Sequence, residues 1–108
     1  MADRQHRIAR YRYAIEAGSG YGRLSLWDER GALVGEIAFL ESGRGLPGPR
    51  IAGDLAHGAG FMPIERLVPL VDMLRNEQPV FLTLDDQPPG FLTVGTGEQV
   101  RAAAEGCA

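Results

Sequence analysis

The chain has no lysine, a single cysteine and no long apolar run, and the last two exclude an internal disulfide and a membrane-spanning helix. One thiol, Cys107, cannot form an internal disulfide, so the fold does not depend on oxidation. No stretch approaches the roughly 18 apolar residues that cross a bilayer. The Arg-rich segment 1–13 lacks the apolar core of a signal peptide. We therefore expect a cytoplasmic protein that does not associate with membranes.

All eleven basic residues are arginine, which has two explanations. Guanidinium groups recognise phosphate and carboxylate, whereas a high-GC coding bias would raise arginine together with Ala, Gly and Pro. The chain holds 15 Gly and 7 Pro, which favours the coding bias.

Residues 1–50 carry eight Arg and six acids, a net of +2, and residues 51–108 carry three Arg and eight acids, a net of −5. The acidic total argues against non-specific nucleic-acid binding over the whole domain. The asymmetry fits a basic arm or a bipolar, self-associating surface.

A near-repeat ten residues apart predicts a β-hairpin. Residues 81–84 read Phe-Leu-Thr-Leu and residues 91–94 read Phe-Leu-Thr-Val. These side chains suit a pleated, half-buried surface, and the intervening segment 85–90 is rich in the turn formers Asp, Pro and Gly. Three earlier strands follow from alternation, at about 7–17, 23–28 and 33–41, the last two joined by a tight turn ending at Gly31.

A helix is predicted over about 63–77 because apolar residues recur there every three or four positions. Pro69 cannot sit in a helix interior without cost, so either the helix kinks there or a short turn at 63–67 precedes it. The resulting fold is α+β, about five antiparallel strands in the order β-β-β-α-β-β with one helix packed on one face. We expect a single domain over 1–108, with a flexible arm at 1–6 and a frayed or disordered tail at 97–108.

The predicted core combines the apolar face of the helix with inward residues of three strands. The helical face comprises Ile64, Leu67, Val68, Val71 and Leu74. The predicted core residues are Leu24, Leu26, Ile37, Leu67, Val71, Leu74, Leu82 and Leu84. The third strand is apolar on both faces, so its second face needs a cover. The candidates are a second copy of the protein or the segment 42–61, which has six Gly and two Pro and holds a possible short strand at 50–53.

No pattern predicts an enzyme, a metal site or a cofactor. Residues 43–48 match G-x-G-x-x-G, but Pro47 and Pro49 prevent the helix that would meet a pyrophosphate. Asp54 and His57 have a ligand-like spacing, yet glycines surround them and a third ligand is missing. Asp85 and Asp86 are typical of turns rather than of acid–base pairs, and Cys107 has no structured surroundings that would lower its pKa.

One set of residues has a positive functional interpretation. Alternation places Arg10 and Arg12 on one face of the first strand, and Arg23 and Trp27 on one face of the second, with Tyr21 at its edge. Aromatic rings and Arg together bind single-stranded nucleic acids. Alternatively, Arg10 and Arg12 are solvated or paired with Glu16 and Glu36, and Trp27 is buried under the loop 42–61 or by a partner.

Two functional hypotheses remain open from the sequence. The first is a non-enzymatic binding or interaction module that acts as a homodimer and could also take a protein partner. The second is a single-stranded nucleic-acid-binding protein that uses the basic, aromatic face. The arrangement of strands and helix does not choose between them, because a fold does not imply a function.

Overall fold

The computed structural model describes residues 3–18, 21–43 and 45–96, which form a curled seven-stranded sheet and one α-helix. The strands are β1 (Asp3–Glu16), β2 (Tyr21–Asp28), β3 (Leu33–Leu40), β4 (Arg50–Ile51), β5 (Gly58–Pro63), β6 (Val80–Asp85) and β7 (Phe91–Thr96). A 3-10 turn at Ile64–Arg66 leads into the helix α1 (Leu67–Asn76). The prediction of a small α+β domain with one helix is confirmed. The predicted frayed tail at 97–108 lies outside the described residues.

The sheet has two more strands than expected and is mixed rather than antiparallel. Its order is β4-β5-β3-β2-β1-β6-β7, and β5 runs parallel to β3 while every other pair is antiparallel. Both extra strands come from the segment interpreted as irregular, of which the sequence indicated a short strand near Arg50. The sequence of β5, Gly-Ala-Gly-Phe-Met-Pro, has two glycines and a proline, so it carries little local strand signal.

β1 is shared between two pairings and contains a bulge. Residues 3–7 pair with β6, and residues 8–16 pair with β2. The register shifts between Ile8 and Arg10. The bulge reverses the alternation of side chains. Before the bulge the even-numbered residues His6 and Ile8 face the core, and after it the odd-numbered Tyr11 does. Uninterrupted alternation had placed Ile8 with Arg10, which is wrong, and residues 3–6, expected in a flexible arm, belong to β1.

The core fills the concave side of the curled sheet. Seven of the eight predicted core residues belong to the buried cluster, and Leu74 is partly buried against it. The cluster also contains residues that sequence reasoning missed, namely Val34, Phe39, Leu55 and Leu70. Segment 46–49 packs on this same side, where Pro47 and Pro49 lie beside Ile37 and Leu92. It therefore covers one end of the core on the concave side and, of the two faces of β3, not the convex one.

The helix resolves the question posed by Pro69. The 3-10 turn precedes α1, so Pro69 falls in the first helical turn, where a backbone N–H has no partner within the helix. The buried stripe is consequently shifted from the predicted one. Val68, expected to be buried, is 73% exposed, and Leu70 occupies the core instead at 6% exposure. In the described part of the chain, no helix is long and apolar enough to cross a membrane.

The turn between β2 and β3 is closed by the side chain of Asp28, much as the sequence predicts. Its Oδ1 accepts hydrogen bonds from the backbone N–H groups of Arg30 and Ala32, each at 2.9 Å. Gly31 has a φ of +84°, the left-handed conformation that glycine adopts readily. The hydrogen bond from the Ala32 N–H, and to a smaller extent that from the Arg30 N–H, lowers the pKa of Asp28 below its usual value of 3.8, although desolvation opposes them.

The lowered pKa of Asp28 predicts an acid-dependent loss of stability. An acid whose folded pKa is depressed contributes stability above its unfolded pKa of about 3.9. That stability is lost as the pH falls through the lower folded value. Asp28→Asn keeps an oxygen acceptor but does not titrate, so the wild type should lose more stability than this variant between about pH 5 and pH 2. Urea denaturation across this pH range measures the difference, and parallel profiles for the two proteins would contradict it.

Candidate functional site

The convex face of β1 and β2 brings the predicted basic and aromatic residues together. Arg10 is opposite Trp27, Ala14 is opposite Arg23, and Tyr21 is opposite Glu16. Directly opposed residues of antiparallel strands share a face. We call the basic and aromatic part of this convex surface the arginine face. Its members are Arg10, Arg12, Arg23, Trp27 and Tyr21.

The arginine face lies opposite the core. Leu24 and Leu26 alternate with its β2 members and are fully buried on the concave side, which also receives α1. The face belongs to regular strands rather than to a mobile loop, so the backbone fixes the spacing of its side chains. Directly opposed side chains are about 5 Å apart between Cβ atoms.

Arg10 and Trp27 form a cation–π contact. The guanidinium carbon of Arg10 lies 4.4 Å from the centroid of the Trp27 ring. Trp27 is half-buried, so part of its side chain belongs to the surface. The contact holds a planar cation over a planar ring at the edge of a shallow depression.

The acids near the face are engaged elsewhere or lie at its edge. Glu36 is opposite Ser25 on the same convex surface, and its Oε1 is 3.4 Å from Nε2 of His57. Another identified ion pair joins Arg7 to Glu29. Neither of these pairs among the described residues involves a guanidinium of the arginine face. Glu36 therefore pairs with His57 rather than with the arginines, whereas Glu16 shares the convex surface opposite Tyr21.

The depression on the face has a volume of about 420 Å³. It is lined by Arg12, Tyr13, Ala14, Arg23, Ser25, Trp27, Leu33 and Glu36. Guanidinium groups from two strands and an indole ring surround it. Such a lining can contact an anion and a planar aromatic group side by side.

The other motifs that the sequence singled out serve local structure. Asp54 Oδ1 accepts the Ala56 N–H at 3.0 Å, and Asp85 Oδ1 accepts the Gln87 N–H at 2.9 Å, so both carboxylates close turns. Among the described residues, no three His, Cys, Asp or Glu side chains gather as metal ligands do. Residues 45–49 of the glycine-rich motif form no helix, and Cys107 lies outside the described part of the chain.

Sequence reasoning missed a buried histidine. His6 is 6% exposed, and its Nε2 lies 2.8 Å from the carbonyl oxygen of Leu55. This contact ties the start of β1 to the loop before β5, where Leu55 has a positive φ of 61°. The available signal was alternation, because the strand pattern extends back through His6 once the bulge is allowed for.

Comparisons of the chain with protein-family models, with curated proteins and with solved structures find no match. The fold and the face define a small α+β domain with a basic, aromatic surface on the convex side of its curled sheet.

Proposed function

We propose that the protein is a non-enzymatic binding module whose arginine face binds single-stranded nucleic acid. The observation that supports this most directly is the β1–β2 register, which gathers three guanidinium groups and an indole on one exposed face. Single strands are bound by surfaces of this kind, where cations follow the phosphates and planar groups stack with the bases.

The distribution of charge favours an anionic ligand at this face despite the net charge of −3. Arg10, Arg12 and Arg23 place three positive charges on adjacent strands. Glu36, the acid next to them on β3, interacts with His57. The three arginines outnumber the two acids of the convex surface, Glu16 opposite Tyr21 and Glu36 opposite Ser25, so the local charge is positive. Local charge steers ligands more than the total charge does.

The planar groups favour a single strand over a duplex. The Arg10 guanidinium lies over the Trp27 ring, and bases stack both on aromatic rings and on guanidinium planes. A base can stack on Arg10 or displace it from the indole. Reading a duplex groove usually requires a protruding helix or β-ribbon, whereas α1 lies on the concave side, away from this face.

The proposal predicts a change in the salt dependence of binding. Fluorescence anisotropy with labelled single-stranded DNA and RNA should show affinity that falls as salt rises. Replacing Arg10, Arg12 and Arg23 together with alanine should weaken binding to all sequences. It should also reduce the slope of log K against log salt by about 2, since each phosphate contact on a single strand contributes about 0.7. Trp27→Ala should remove about 1–3 kcal/mol of stacking.

A matched triple variant controls for the loss of charge alone. Arg4, Arg50 and Arg66 are exposed and lie outside the arginine face, so their replacement with alanine removes the same three charges. This control should keep most of the affinity and of the salt slope. Equal losses in both triple variants, or no binding by the wild type at low salt, would refute the proposal.

A further inference from the structure

One edge of β1 is left unpaired where β6 diverges from it. β6 pairs with β1 as far as Arg7, and β2 pairs with its other edge as far as Glu16. Within the described residues, no strand pairs with the second edge of segment 9–16. A long exposed edge presents unpaired N–H and C=O groups and is a template for another strand.

Apolar side chains lie beside this edge on the concave side. Tyr13, Ile15 and Val68 are 42%, 60% and 73% exposed. They line one open depression of about 200 Å³ between the end of β1 and α1. Scattered apolar residues need no explanation, but apolar residues gathered along an unpaired backbone edge indicate an interaction site.

The tyrosines at this edge are held in place. The rings of Tyr11 and Tyr13 stack with their centroids 6.4 Å apart and their planes 15° from parallel. Hydrogen bonding with Tyr11, and then with Tyr13, raises the pKa of Arg75 on α1. The helix thus supports the concave side of the edge without pairing with its backbone.

We propose that this edge binds a second copy of the chain, with β1 pairing antiparallel to the partner's β1 about a two-fold axis through Tyr13. In such a pair, opposed residues share a face, so the axis must pass through a residue position. Centring on Tyr13 places Arg10 opposite the partner's Glu16, and the same pair recurs through the symmetry. It also places Tyr11 opposite the partner's Ile15 on the concave side.

The neighbouring registers are less complementary. An axis through Arg12 would place two Arg12 guanidinium groups directly opposite each other, and like charges in that position are destabilising. An axis through Ala14 would also oppose opposite charges, Arg12 to the partner's Glu16, but it would shorten the overlap within β1 to residues 12–16. The Tyr13 register overlaps residues 10–16, matches opposite charges on the convex side and apolar groups on the concave side. This self-complementarity favours a second copy over an unrelated peptide.

Sedimentation equilibrium of the protein without nucleic acid tests the interface. The wild type should be a dimer at tens of micromolar, about the concentration at which a modest interface forms. Arg10→Glu places two acids opposite each other, and Glu16→Arg places two arginines opposite each other. Each variant alone should therefore dissociate, with a dissociation constant raised about tenfold or more for two lost pairs.

Mixing the two variants provides the decisive measurement. In the mixed dimer, the new glutamate at position 10 faces the new arginine at position 16, and the original Arg10 faces the original Glu16. The equimolar mixture should recover the dimer that neither variant forms alone. Arg30→Glu and Glu41→Arg are exposed charge reversals away from the edge and should leave the wild-type dimer intact, alone or mixed.

Three outcomes would overturn the proposed interface. These are a monomeric wild type at the stated concentration, a dimer that both edge variants leave intact, and a mixture of edge variants that stays monomeric while the control variants dimerise. Because the readout is mass and not nucleic-acid binding, its failure is distinct from failure of the proposed function.

Discussion

Replacing Leu84 with alanine is expected to lower the free energy of unfolding by about 2–5 kcal/mol. Leu84 is fully buried on β6, where it and Leu82 belong to the core on the concave side of the sheet. The truncation removes apolar contacts and leaves a cavity that a sheet fixed by pairing on both sides of β6 closes poorly. Urea denaturation followed by circular dichroism measures the loss.

Leu46 provides the matched control for this substitution. It lies in the loop before β4 and is 38% exposed, so Leu46→Ala removes the same atoms from a site that is not enclosed. We expect it to cost no more than about 1 kcal/mol. Equal losses for Leu46→Ala and Leu84→Ala would show that the core is not where the curled sheet places it.

Adding one methyl group at Gly58 is expected to destabilise the protein by about 1–3 kcal/mol. A Cβ there would lie 2.5 Å from Cδ2 of Leu84 and 3.3 Å from the Cδ1 atoms of Ile51 and Leu92. These side chains belong to β4, β6 and β7. Because Gly58 has no side chain, β6 and β7 can approach β5 closely as the sheet curls. Gly53→Ala is the control, because a Cβ at that position meets nothing within 4 Å.

The two substitutions should compensate each other. Leu84→Ala removes the methyl group that lies nearest the new Cβ at position 58. The double variant Gly58→Ala with Leu84→Ala should therefore lose less stability than the sum of the single losses, with a coupling of about 0.5–3 kcal/mol. Strict additivity in this double-mutant cycle would mean that the two sites are not in contact.

The elements that the sequence predicted are those specified by local chemistry. The β6–β7 hairpin follows from turn formers between two matching strands, and the β2–β3 turn follows from Asp28 and Gly31. The helix was located by its apolar period. The buried face differs from the predicted one because the first turn is 3-10, which rotates the following residues relative to a continuous α-helix. Leu70 is therefore buried and Val68 is exposed.

The elements that the sequence missed depend on distant contacts. β5 is a strand because Gly58 fits under Leu84 and pairs beside β3, and neither fact can be read from its own residues. The bulge after Ile8 also could not be predicted, because apolar residues occur at both odd and even positions of β1, so alternation does not show where the register shifts. The arginine face was predicted because its members all follow that bulge, where simple alternation holds. The unpaired edge of β1 could not be predicted, since it depends on where β6 diverges.

The division of β1 between two partners sets the order in which the chain can complete its sheet during synthesis. Residues 8–16 meet β2 soon after they are made, since Arg10 pairs with Trp27. Residues 3–7 must wait for β6, because Asp3 pairs with Asp85, about 80 residues later along the chain. The start of β1 is therefore made long before the strand that pairs with it. Until then, the start of β1 is a second exposed edge on the growing chain, which is a hazard for pairing with other molecules.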